Sequence, residues 1–208
     1  MLYITRPPAE GNDEVVTPRD RMVASAALLI RERGAHSTAI SDVLEHSGAP
    51  RGSAYHYFPG GRTQLLCEAV DFASDHTAAR ISSAATGLEV LDAVVSWFGK
   101  QLTKTDYRAG CPVVAVAVEA GDPVKEENAE VLERAGAAFQ RWTDLIAQRL
   151  ADDGVAVNRA RELAMFITSA IEGAIVMARA IRAIEPLDVT HRQLRTLLQA
   201  ETSEGTSK

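Results

Sequence analysis

The feature that most constrains this chain is a stretch in which Leu132, Ala135, Phe139, Trp142, Ile146 and Leu150 recur at spacings of three and four residues. That rhythm lines all six along one side of an α-helix of about five turns, and a pleated strand could not bury the set. The same period returns elsewhere. Met22, Ala26, Leu29 and Ile30 repeat ahead of Gly34, Leu65, Leu66, Ala69, Val70 and Ala73 follow Arg62, and Val90, Leu91, Val94, Val95, Trp97 and Phe98 lie between Leu88 and Leu102. Ala, Leu, Arg and Glu are frequent, and aromatic residues make up only 5% of the chain. The expectation is an all-α protein of about nine helices.

Punctuation residues divide these helices. Residues 1–16, with Pro7-Pro8 and Gly11, show no amphipathic period and read as a flexible arm. Thr17-Pro18-Arg19-Asp20 supplies a capping hydroxyl, a proline at the first helical position and an acid three residues on, opening a helix that stops at Gly34. Thr38 is positioned to cap a short second helix carrying Ile40, Val43 and Leu44, which Ser47-Gly48 breaks. A third runs from Pro50 to Phe58 with Ala54 and Phe58 inward, until Pro59-Gly60-Gly61. Two short helices joined by a glycine-containing turn and packed on a longer one make a helix-turn-helix. With a connecting helix from about Arg62 to Ser82, this N-terminal domain spans residues 17–82.

A second domain, residues 83–201, begins near Thr86-Gly87. Its helices are Leu88 to Leu102, a short apolar one from Pro112 to Ala120 interrupted by Gly121-Asp122-Pro123, the periodic helix above, a long one from about Asn158 to Ala183, and a last one from about Val189 to Glu201. The long helix is apolar nearly all round, which implies burial on more than one side, and Ala170, Ala174 and Ala178 allow a close neighbour. A two-fold partner supplies the missing cover, so a homodimer through the last two helices is expected, forming a four-helix bundle. The polar segment 202–208 reads as a disordered tail.

The formal net charge of −6 argues against nucleic acid only if charge is spread evenly, and it is not. From His46 to Cys67 there is no Asp or Glu. In a helix-turn-helix the second helix enters the major groove while flanking groups hold phosphates. On the helix starting at Pro50, Arg51, Ser53, Tyr55, His56 and Tyr57 project outward or to the flanks. Arg51 can fork onto guanine or grip a phosphate, the hydroxyls and His56 can donate, and Gly52 permits close backbone approach. Thr38 offers a hydroxyl at the start of the second helix, and Arg62 flanks the other side. A merely solvated polar face is the bland alternative, against which two tyrosines stand out.

The stretch from Ala39 through Ile-Ser-Asp-Val-Leu-Glu-His-Ser-Gly-Ala-Pro-Arg-Gly-Ser-Ala-Tyr-His-Tyr to Phe58, preceded by a helix ending Arg31-Glu-Arg-Gly34, resembles the DNA-binding segment of TetR/AcrR-type bacterial repressors. Pro59-Gly-Gly-Arg62 and Gly110-Cys-Pro-Val113 resemble the LmrA/YxaF-like branch. Ala54 stands where a bulkier apolar residue is usual, and Arg62 where lysine is common. The resemblance implies a homodimer that binds a palindromic double-stranded operator, usually as a repressor, and releases it when a mostly apolar small molecule enters the second domain. It implies a pocket enclosed by that domain's helices, with the helix after Cys111 as a mobile wall.

Candidate ligand-contacting residues are Trp97, Phe98, Phe139, Trp142, Phe166 and Met177, although aromatics at helical spacing fill cores more often than they line pockets. Glu172 interrupts the apolar stretch Ala164 to Ala180 and needs a partner, either a protein donor, the preferred option, or a polar or cationic ligand. Cys67 and Cys111 lie far apart without CxxC or a histidine cluster, so neither a disulfide framework nor a metal site is expected. They read as small buried apolar groups, with electrophile sensing by Cys111 the alternative.

Other classes fit less well. With no GxGxxG, Walker-type lysine loop, HExxH or GxSxG, no catalytic constellation and no cofactor site is expected, and the protein is not read as an enzyme. No signal-peptide apolar region opens the chain, and the longest unbroken apolar stretch, Val113 to Val118, cannot span a bilayer, so a cytoplasmic location is expected. The rival function is a helical ligand-binding or interaction protein without an operator response.

Overall fold

The computed structural model describes residues 17–119 and 126–205 of the chain. Among the described residues every regular element is an α-helix: α1 (Pro18–Arg33), α2 (Ile40–Ser47), α3 (Ser53–Tyr57), α4 (Gly61–Ser83), α5 (Gly87–Lys104), α6 (Pro112–Glu119), α7 (Glu126–Asp152), α8 (Val157–Ile181) and α9 (Glu185–Gly205). The arm expected over residues 1–16 and the Gly121-Asp122-Pro123 break lie outside the described residues. Helix α9 continues to Gly205, so its last turn occupies part of the segment expected as a tail.

Helix α1 starts as its residues dictate. The Asp20 amide donates to Thr17 Oγ1 at 3.1 Å, and the Thr17 amide donates to Asp20 Oδ2 at 3.1 Å. Helix α2 does not start as expected. Its N-cap is Ala39, whose amide donates to Asp42 Oδ2 at 3.1 Å, while the Thr38 hydroxyl turns back to donate to the Gly34 carbonyl at 2.8 Å. Gly34, with φ at 90°, sits in a region where a β-carbon is penalised, so the chain can turn there and offer that carbonyl to Thr38. Helix α3 is shorter than expected. Pro50 to Ser53 forms a turn in which the Ser53 amide and hydroxyl both donate to the Pro50 carbonyl, at 2.9 and 2.6 Å. A serine that bonds locally and a glycine at position 52 both weaken helix initiation, so the first helical residue is Ser53.

The described helices form two compact units that do not follow a single cut in the sequence: Met1–His76 with Pro112–Ala138, and Thr77–Cys111 with Phe139–Lys208. In the first, Met22, Ala26, Ile30, Val43, Ala54, Phe58, Leu65 and Val70 are buried. Helix α6 joins this unit because its apolar side packs on α1, with Val113 and Val116 buried. The Glu119 carboxylate closes the contact by accepting the His36 amide at 2.9 Å, and Arg134 pairs with Asp71 at 2.7 Å. The compact units therefore do not coincide with a boundary near residue 83, because α6 is distant in the chain from the helices it supports.

In the second unit α5, α8 and α9 pack on one another around Leu91, Phe98, Leu163, Ile167, Ile175, Leu187, Leu194 and Leu198. Asp92 of α5 accepts from His191 at 2.7 Å and from Arg195 at 2.5 Å, fastening α9. Burial works against the charge on Asp92, yet these two hydrogen bonds hold its carboxyl below the usual range. Helix α8 is long and apolar enough to cross a membrane by composition, but Leu163, Ala164, Ile167, Ile171, Ala174, Ile175 and Ala178 are buried in this unit. Its other side is bare. Met165, Phe166, Val176, Met177 and Ile181 are each more than half exposed.

Candidate nucleic-acid interface and ligand cavity

Five residues of helix cannot hold their own shape in water, so α3 depends on what anchors it. Ala54 and Phe58 are both 1% exposed and insert into the first unit. The Arg19 guanidinium lies 5.5 Å over the Phe58 ring and pairs with Glu68 at 2.7 Å. Glu68 accepts from Gln64 Nε2 at 2.9 Å, and Gln64 Oε1 in turn accepts the Gly60 amide at 2.9 Å. This relay fixes the end of α3 to α1 and α4. Arg33 and Asp42, 2.8 Å apart, join α1 to α2.

With Ala54 and Phe58 inward, Arg51, Gly52, Tyr55 and His56 are exposed and Ser53 and Tyr57 half-buried. Tyr55 is 77% exposed. His56 and Tyr57 meet edge to face with centroids 5.1 Å apart, which limits how either ring turns. A β-carbon added at Gly52 would meet open space, so packing does not require glycine there and the bare backbone faces outward. The surface offers a guanidinium, two phenol hydroxyls and an imidazole, without an acid between residues 46 and 67. Such a set suits polyanion binding.

Thr38 and Arg62 are placed differently from the rest. Thr38 is buried, with its hydroxyl turned to Gly34. Arg62 donates through Nε to the Thr38 carbonyl at 3.0 Å and through Nη2 to the Ala35 carbonyl. The loop between α1 and α2 is thus held by Arg62 through its carbonyls and by Glu119 through the His36 amide. Sequence reasoning missed Glu119, Arg19 and Gln64. Glu119 acts across 83 positions, and no local pattern signals that.

The second unit holds a narrow cavity of about 20 Å³, or about 370 Å³ when the open space at its mouth is counted. Of the candidate ligand-contacting residues, Phe98, Trp142 and Glu172 line it, with Ile81, Val94 and Ile171 among their neighbours. The other candidates lie elsewhere. Trp97 receives the Arg80 guanidinium 4.3 Å above its ring, and Phe139 meets Trp142 edge-on with centroids 5.5 Å apart. Phe166 and Met177 point out from the bare side of α8. Cys111 is buried and its thiol hydrogen-bonds Glu172. Burial pushes the Glu172 carboxyl up to about 7, the Cys111 hydrogen bond acting in the opposite sense. Cys67, in the first unit, is pushed up to about 11 by burial and by Glu130, which leaves it an unreactive thiol.

A short outward-facing helix without acids, seated on a helix-turn-helix scaffold, defines a DNA-binding transcriptional regulator. Residues 23–69 match the family of bacterial regulatory proteins of the tetR family, and residues 87–193 match the C-terminal domain of LmrA/YxaF-like transcriptional regulators. The chain belongs to the TetR family, in its LmrA/YxaF-like branch. It is 64% identical over 188 residues to an uncharacterized HTH-type transcriptional regulator of Mycobacterium tuberculosis, covering 90% of this chain and 97% of that one. It is 27% identical to the HTH-type transcriptional regulator LmrA of Bacillus subtilis, over 81% of this chain and 90% of that one. Among solved structures, a TetR transcriptional regulator from Legionella pneumophila superposes with a TM-score of 0.74 at 19% identity, covering 88% of this chain and 98% of its own. One from Chloroflexus aurantiacus does so with 0.70 at 27% identity, covering 88% and 94%.

Proposed function

We propose that this regulator binds a palindromic operator as a homodimer, represses from it, and lets go when a small molecule occupies the cavity of the second unit. Arg51, Tyr55, His56 and Tyr57 meet the duplex, with Gly52 allowing close approach and Ser53 at the flank. Arg62 and Thr38 act from behind, by setting the loop under α2. The observation that carries the reading is the bare apolar side of α8, where Phe166 is 55% and Met177 58% exposed. A contiguous row of large apolar side chains on a long helix is costly in water, and a two-fold copy removes the cost. The same two-fold axis makes the bound site palindromic, since two α3 helices enter successive major grooves about 34 to 36 Å apart. Such work is done in the cytoplasm, where the operator is.

Selection of bound sequences from random duplexes, followed by a search for compounds that dissociate the complex, tests the reading as a whole. Enrichment of an inverted repeat, with a dimer in light scattering, is the expected result. A monomer that enriches no sequence even at low salt would overturn it.

A further inference from the structure

Most residues lining the cavity described above are apolar, and Glu172 is the ionisable one among them, with Thr77 and Thr168 the other polar groups. Phe98, Val94, Trp142 and Ile171 form its walls, and the Glu172 carboxyl sits among them. One carboxyl oxygen has the Cys111 thiol, a weak donor, within hydrogen-bond reach. Oε2 is buried from solvent and has no hydrogen-bond partner among the described residues. Neither wall threonine bonds to it, and the Thr168 hydroxyl donates to the Ala164 carbonyl at 2.9 Å. A buried acceptor without a donor is costly, and one kept beside an empty apolar space is suited to a donor that arrives with a ligand.

We infer that Glu172 is the polar recognition point of this cavity and that the effector is a lipophilic amine, its ammonium group donating to Glu172 Oε2 while its apolar body packs on Trp142 and Phe98. The inference rests on the effector reading above and names the class of molecule. A cation fits better than a neutral donor. In a low-dielectric site the attraction between ammonium and carboxylate is far stronger than in water, and the pair leaves no net charge buried. An anionic ligand meets the opposite, a like charge with no basic group among the residues lining the cavity. A hydroxyl donor satisfies Oε2 but does not neutralise it.

The test uses the full-length protein and three probes of matched shape: 4-phenylbutylamine, 4-phenylbutanol and 4-phenylbutyrate. Binding is measured by calorimetry and by tryptophan fluorescence, because Trp142 lines the cavity. The amine should bind about 10- to 100-fold tighter than the alcohol at pH 8, the butyrate weakest, and Glu172→Gln should remove the preference while leaving the alcohol's affinity within about threefold. Val94→Phe, which fills the cavity, should abolish binding of both. Equal binding of amine and alcohol, or an amine preference that survives Glu172→Gln, overturns the amine while leaving the effector cavity standing. If none of the three binds, the effector reading and this inference fall together.

Discussion

Arg62 donates through Nε to the Thr38 carbonyl at 3.0 Å, so the first turn of α4 grips the loop that carries α2. The same guanidinium reaches the Ala35 carbonyl, a fork that lysine cannot copy with one ammonium. Arg62→Ala should therefore lower stability by about 1–3 kcal/mol, and Arg62→Lys should recover only part of the loss. Thermal melts give the first quantity. Duplex affinity should fall in the same order, and Arg62→Ala with an unchanged melt would show that Arg62 binds phosphate rather than loop.

The outward side chains of α3 should behave in the opposite way. Tyr55→Ala and Arg51→Ala should each weaken the selected duplex by about 1–3 kcal/mol, and Arg51→Ala should reduce the salt dependence by about one released counterion if it grips phosphate. Neither should move the melting temperature by more than a degree or two, since both side chains are exposed. Tyr57 is half-buried, so Tyr57→Phe isolates its hydroxyl without disturbing packing. Affinities unchanged in all three variants would mean that another surface touches the duplex.

On the bare side of α8, a charge should undo assembly without undoing the fold. Phe166→Glu places a carboxylate where a partner's apolar helix is expected, and its desolvation in the interface is prohibitive. Light scattering should report a monomer at micromolar concentration, circular dichroism should keep its helical signature, and operator binding should be lost. A dimer that persists would place the interface elsewhere.

Glu172 predicts the pH response of stability. The native carboxyl, held up to about 7 from an ordinary 4.5, keeps its proton across a range where the unfolded chain has lost it. Its contribution is therefore intact below pH 4.5 and is lost as pH rises through 7, flat beyond. Glu172→Gln has no proton to lose, so relative to wild type it should gain up to about 3 kcal/mol between pH 4.5 and 8. Melts recorded across that range settle the matter. A difference that does not widen with pH would mean that the carboxyl is well solvated.

The sequence exposes those parts of the molecule that are written locally. Thr17 and Asp20 bracket one helix end, Gly48 closes α2 in the left-handed region, and Ala54 and Phe58 lie four apart where α3 must be anchored. What it conceals depends on contacts distant in the chain or on helical phase. Thr38 looks like a cap, and only the turn at Gly34 redirects its hydroxyl. Phe166 and Met177 look like cavity residues because α8 is apolar nearly all round, which removes the signal that tells inside from outside. Trp97 and Trp142 are equally large, yet one lies under Arg80 and the other faces the cavity. Glu172 stands out because a carboxyl among aliphatic neighbours is conspicuous in any register, although the sequence does not say whether a protein donor or a ligand answers it.

The brevity of α3 has a practical consequence for anyone wishing to move its specificity into another protein. A synthetic peptide of those five residues would be a random coil, and splicing them onto a longer, self-sufficient helix would rotate Tyr55 and His56 away from the angle that Ala54 and Phe58 impose. The transferable cassette is the whole span from Thr17 to Ser83 together with its α6 prop.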